Sequence, residues 1–343
     1  MLKKIGLAIL GLLIILLVIY HELVFYGLSQ AKGQVSIIWN ARPVEDFLID
    51  KNFPDSLKAK IRLVQEIRQF AFDSLGINHS DNYTTMYDQK GEALLWVVTA
   101  SDPFLLKEKE WSFPFLGAFS YKGFFKRELA DEEEAELKKL GFDTSVDEVE
   151  GWSTLGWFKD PILSDMLDKT PGSLANLIIH ELTHGTLYVK NNVQYNENLA
   201  SFVGDKGALM FLEYKYGRDS DEYNDYVKRK DIWKNYSKLV LRKAEELDTL
   251  YRTFSSLNSV QEKAQKKKQK LQKIIAEFKD HLSYFRKRDP AFFSHLDSIN
   301  NTYFIDFRRY REDQDVFEDE LNEKFGGDFR KYFIYLKEKY PSL

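Results

Sequence analysis

The chain has 343 residues and a formal net charge of -4, so no overall basic field points to nucleic acid. Aromatic residues make up 15%, with 26 Phe and 19 Tyr, which argues against a disordered chain and provides for a sizeable core. There is no cysteine, so any zinc must be held by His, Glu or Asp, which favours a catalytic site over a Cys-rich structural one.

At the N-terminus, Lys3-Lys4 precede an uncharged run from Ile5 to Tyr20, and a second apolar piece, Leu23 to Leu28, follows His21-Glu22. The first run makes about 24 Å of helix against about 30 Å of hydrocarbon, a gap that lysine snorkelling and an interfacial Tyr20 can close. The reading is a single membrane anchor over 1–28. The leading lysines put the rest of the chain on the extracytoplasmic, periplasmic side. A signal peptide cleaved near Ser29-Gln30-Ala31 is the alternative.

Residues from Pro43 to Gly76 read as helical, with a turn at Asn52-Phe53-Pro54. Leu57, Ile61, Val64, Ile67, Phe70 and Leu75 then recur at helical spacing. Tyr83 to Ala100 reads as a β-hairpin, with turn chemistry at Asp88-Gln89-Lys90-Gly91. Glu128 to Leu140 is a charged helix stopped by Gly141. Thr144 to Glu150 is a strand, either a plain sheet edge or a template for a substrate backbone. A loop, Trp152-Ser153-Thr154-Leu155-Gly156-Trp157, follows.

The chemistry concentrates at Ile178-Ile179-His180-Glu181-Leu182-Thr183-His184. Ser173 is the expected N-cap, and the helix should run to about Tyr188 or Val189. Four residues apart, His180 and His184 share one helix face and can offer two corners of a zinc tetrahedron. Glu181 is turned about 100° from His180, so it can act on a water in an open coordination position without being a ligand. After a loop at Asn191-Asn192, a second helix runs from Asn196 to Gly217. Glu197 lies at its start as the candidate third ligand. Ala200, Ser201, Gly204, Asp205 and Ala208 form a stripe below it that lets two helix axes approach closely. A third histidine six residues after the second is absent, since Lys190 stands there. Asp205 is the candidate to orient a ligand histidine from behind.

In its phrases the sequence resembles the bacterial putative-aminopeptidase family, zinc peptidases whose third ligand is a glutamate (gluzincins). These phrases are Gly33-Gln34, Ala41-Arg42-Pro43, Val64-Gln65-Glu66-Ile67-Arg68, Tyr83-Thr84-Thr85, Leu95-Trp96-Val97-Val98 and Phe113-Pro114. Tyr121-Lys122-Gly123-Phe124-Phe125, Ser153-Thr154-Leu155-Gly156-Trp157, the His180–His184 motif and Asn196-Glu197 complete the series. The resemblance implies an α+β, predominantly helical fold with a zincin-like core, one Zn2+ ion and a peptide or protein substrate. It implies peptide hydrolysis, as an aminopeptidase or as an endopeptidase of the same mechanism. A non-catalytic zinc-containing binding module is the reading from a different class.

The C-terminal half is charged and helical. Two apolar stripes, Leu239 to Phe254 and Ala264 to Leu282, predict an antiparallel hairpin over about 223–285 that can project from the body. Lys266-Lys267-Lys268 and Lys270 read as a solvated face, with anionic headgroups as the alternative. The expected organisation is an anchor over 1–28, a peptidase core over 29–217 and a helical region over 218–343 packed into the same unit. An oxyanion donor should come from outside the two motif helices, with Tyr310 the first candidate and Tyr303 the second.

Overall fold

The computed structural model describes residues 19–113, 117–149, 154, 158–256, 259–283, 286 and 290–340. Helices dominate, and the strands are short. The first helix, α1 (His21–Asn40), leads through β1 (Arg42–Pro43) and α2 (Val44–Ile49) into α3 (Asp55–Leu75). The helical stripe read from the sequence is the buried face of α3: Ile61, Val64, Ile67 and Leu75 are all 0% exposed. Gly76 ends the helix in the left-handed conformation that glycine adopts without strain.

The expected hairpin over 83–100 does not form. β2 (Thr85–Tyr87) pairs with β1 and, in parallel, with β8 (Ile162–Leu163). β3 (Trp96–Ser101) instead lies between β6 (Tyr121–Phe124) and β7 (Asp143–Glu148), antiparallel to both. The turn chemistry at 88–91 is real, but Gln89 ties it to Ser164 and Asp165 next to β8. The chain is thereby handed from one sheet to another. β4 (Trp111–Phe113) and β5 (Gly117–Phe119) make a separate two-stranded ribbon, and α4 (Arg127–Lys139) covers the β3 sheet. β7 is an edge of that sheet, where Asn300 donates to the Thr144 carbonyl.

The expected anchor and the periplasmic address built on it are corrected here. Among the described residues no helix is long and apolar enough to cross a membrane. Ile5 to Val18 lie outside the described residues, while Leu23 to Leu28 belong to α1. That helix docks on protein. Tyr26 and Gln30 both donate to the Gly123 carbonyl, at 3.1 and 2.9 Å, and the missing side chain of Gly33 makes room for the Phe125 ring.

Two long helices follow: α5 (Pro171–His184) and α6 (Val193–Tyr216). Thr170, not Ser173, caps α5, since its hydroxyl accepts from the Ser173 N–H and Pro171 needs no partner at the first turn. The helix ends at His184, short of the expected Tyr188. α7 (Asp221–Arg252) and α8 (Val260–His281) form the antiparallel hairpin. Ion pairs Lys243–Glu277 and Lys270–Glu246 cross it. The short α9 (Pro290–His295) leads to α10 (Asn301–Arg311), α11 (Gln314–Phe325) and α12 (Phe329–Lys339).

Three apolar clusters result. The largest joins α3, α5 and α6 to Phe317, Leu321, Phe333 and Leu336 from the C-terminal helices. A second lies within the hairpin and takes Phe304 from α10. The third backs the β3 sheet. The hairpin does not project freely, because Lys267 on α8 reaches back to Asp143 on β7 and to the Pro103 carbonyl.

Candidate metal centre

His180 and His184 occupy the last turn of α5, and Glu197 the second turn of α6. Asn192 caps α6 by accepting from the Tyr195 N–H, and Asn196 closes the connecting loop. Asn196 accepts from the Val189 N–H at 2.8 Å and donates to the Val189 carbonyl at 2.9 Å. This pair of bonds folds the chain back on itself, so Glu197 faces the histidines. Further along, an added Cβ at Gly204 would lie 2.9 Å from the Asn176 carbonyl and 3.2 Å from the His180 Cβ. The helices are that close only because residue 204 has no side chain.

The outcome is a cluster of three donor atoms. The two imidazole Nε2 atoms are 3.2 Å apart, and Glu197 Oε2 is 3.4 Å from His180 Nε2 and 3.5 Å from His184 Nε2. A tetrahedral zinc with ligands at about 2.0–2.1 Å has donors about 3.3 Å apart, so the residues fit one face of such a site. The three residues could hold a metal ion. The three groups are coupled electrostatically. Burial opposes ionisation of Glu197, yet the imidazoles of His184 and His180 hold its carboxyl far below the usual carboxylate range. Burial likewise pulls His184 down, and the Glu197 carboxylate more than restores it, leaving the imidazole above its ordinary value.

Glu181 is half-buried beside this cluster, and its carboxylate has no hydrogen bond or ion pair among the described residues. Two phenols, Tyr83 and Tyr121, feel its charge. Burial, and after it the Glu181 charge, raises Tyr83 well above an ordinary phenol. Burial and Glu197 do the same to Tyr121, Tyr188 and Tyr310. All four are therefore donors near neutral pH.

Of the oxyanion candidates, Tyr310 lies within range of the Glu197 charge, and Tyr303 is engaged elsewhere. The Tyr303 hydroxyl bonds Tyr236 at 2.6 Å inside the hairpin cluster. Asn198 explains how Tyr310 arrives. Fully buried, it donates to the Arg309 carbonyl at 2.6 Å and accepts from the Asp313 N–H at 3.0 Å, which pins the end of α10 against α6. Asp205 meets neither His180 nor His184. Its carboxylate takes Asn176, Tyr226 and Arg311, while His184 Nδ1 is buried without a partner among the described residues.

Tyr83 was not anticipated as a site residue, although it opens one of the phrases that carry the resemblance. Its backbone sits at φ 64°, a costly conformation for a tyrosine. It is held there by its N–H to the Asp160 carbonyl and by Gln65 donating to its own carbonyl. Asp160, buried itself, accepts from Asn82 and Thr154. The Tyr83 hydroxyl is buried and unpartnered among the described residues. The expected loop at 152–157, apart from Thr154, lies outside the described residues.

A model of one family, described as putative aminopeptidase, matches residues 25–339. The chain belongs to that putative aminopeptidase family. No curated protein and no solved structure matches the chain. The family match spans both motif helices, the β3 sheet, the hairpin and α10, so the residues around the candidate metal centre all fall inside it.

Proposed function

We propose that this member of the putative aminopeptidase family is a zinc peptidase of the gluzincin type, with His180, His184 and Glu197 as ligands. The observation that carries the reading is the three-donor cluster with tetrahedral spacing beside a carboxylate that has no other partner among the described residues. Zinc, when bound, would supply Lewis acidity toward the scissile carbonyl and toward a water in its open position.

The chain supplies the rest. Glu181 takes the proton of the attacking water and delivers it to the leaving amine, a role that needs a carboxylate near both atoms and free of competing donors. Tyr310, half-buried and beside Glu197, donates to the oxyanion that forms on the carbonyl. Tyr83 cannot touch substrate through a hydroxyl with no exposed surface, and acts by fixing the wall next to Glu181. Cleavage from a free N-terminus is the mode the family description favours.

The test is Glu181→Gln. Zinc content should be unchanged, and hydrolysis of a peptide library should fall by about 10²- to 10⁴-fold. A wild-type protein that holds zinc and cleaves nothing would sink the peptidase reading. Equal cleavage of acetylated and free peptides would exclude the aminopeptidase mode alone.

A further inference from the structure

Nearer the start of α5 than the three donors lies a cavity of about 540 Å³, bounded by α5, α6, α7, α10 and α11. Its volume is that of a small-molecule site. Its charge is unusual for this chain. Seven lining side chains are Lys or Arg and four are Asp or Glu, within a protein of net charge -4.

Pairing reduces that excess without cancelling it, and Arg229 is bound at 2.7 Å to Asp225 outside the lining. Arg311 is bound to Asp205 at 2.8 Å and Lys206 to Glu318 at 2.5 Å. At the rim Lys238 reaches Asp315 only at 3.8 Å. Lys230 and Lys234 have no carboxylate partner among the described residues, and both project from α7 one turn apart. Lys230 is the inner one. Burial lowers its ammonium below the ordinary value, with Lys206 and Arg311 adding to the effect and Asp205 and Glu318 opposing it. A half-buried ammonium that lies near two carboxylates but is bonded to neither keeps its hydrogen-bond donors open to a ligand. Trp233 and Phe307 supply flat apolar walls.

From this arrangement we propose that the cavity binds a small polyanion, of the phosphate or polycarboxylate kind, with Lys230 at its base and Lys234 at its mouth. The inner charge of the ligand would meet Lys230, and the outer charge would meet Lys234 and Lys238 at the rim. Arg311 on the cavity wall directly follows Tyr310 in α10, so the ligand would sit on the helix that carries the proposed oxyanion donor. The site does not depend on zinc or on the peptidase reading.

The experiment is calorimetric titration of the full chain with inorganic pyrophosphate and, separately, with citrate, before and after chelator treatment. Wild type should bind at least one of them, more weakly as salt rises. The preferred anion identifies the ligand chemistry. Lys230→Met with Lys234→Gln should weaken binding by about tenfold or more, and the exposed Lys268→Gln on α8 should not. Lys230→Met removes a half-buried charge that is bonded to no carboxylate among the described residues, so its melting temperature without ligand should change little, which separates lost binding from lost folding. No binding of either anion, or equal binding in all variants, overturns the proposal. So does binding that vanishes with the metal, which would place the anion at the three-donor cluster instead.

Discussion

His184 carries two opposing demands on one nitrogen. In the metal-free chain its proton is held by Glu197, so its value is raised in the folded state. That contribution to stability is complete below about 6.5, the ordinary histidine value, and is lost as pH rises through the raised one. In the proposed reading zinc would compete with the same proton, so its stabilisation should grow as pH rises and vanish on acidification. Melting curves with chelator and with zinc, from about pH 5 to about pH 9, should therefore slope in opposite directions. Parallel curves would mean that His184 is not a ligand. The phenols divide in the same way by position. Tyr310→Phe should lower kcat by about 10²- to 10³-fold with zinc content intact, the usual cost of one lost oxyanion donor. Tyr303→Phe should leave kcat alone, because its hydroxyl is spent on Tyr236 in the hairpin. Steady-state kinetics on both variants check the assignment.

At the scale of elements, the α5–α6 contact is the decisive one. A helical Gly→Ala change ordinarily gains about 1 kcal/mol. At Gly204 the sign should reverse. The new Cβ would meet backbone at 2.9 Å, so the helices must part, at a cost of about 1–3 kcal/mol. Zinc affinity should fall with stability in Gly204→Ala, since Glu197 rides on the displaced helix. Denaturant unfolding and zinc titration measure both, and a stabilised variant would show that the close approach is not required. The small-residue stripe was legible in the sequence for this reason, since it has no other use. The asparagines on either side of Glu197 were not legible in the same way. Asn196 and Asn198 look alike in sequence, yet one closes the loop before Glu197 and the other holds α10 behind it. Their partners are backbone atoms, which leave no trace in side-chain patterning.

Across the whole molecule, the hairpin is joined to the β3 sheet by a buried bond network. Lys267 meets Asp143, which also accepts from the Asn301 N–H, and Asn301 donates to the Asp102 carbonyl. Lys267→Met leaves the Asp143 carboxylate with one donor fewer and should cost about 1–3 kcal/mol. Faster proteolysis within 240–280 should accompany it, and unchanged protease resistance would mean that the apolar cluster alone docks the hairpin. In the sequence this lysine was one of a basic run and read as a solvated face. Its partner lies 124 residues away, beyond the reach of any local pattern. The N-terminal segment carried a similar ambiguity. Leu23 to Leu28 are apolar whether they face lipid or protein, and the bonds from Tyr26 and Gln30 to Gly123 assign that stretch to protein.

The sequence by itself determined what depends on neighbours along the chain. Helical periodicity located α3, α5, α6 and the hairpin. The four-residue spacing of His180 and His184 put two donors on one face. The stripe under Glu197 announced a close helix pair. Tertiary structure decided whatever depends on distant backbone. It moved β2 and β3 into different sheets, because Gln89 found partners beside β8. It sent Asp205 to Arg311 and Tyr226 rather than to a histidine, and separated Tyr310 from Tyr303 although both stand on α10. Side-chain spacing records the faces of an element, and only packing determines what each face meets.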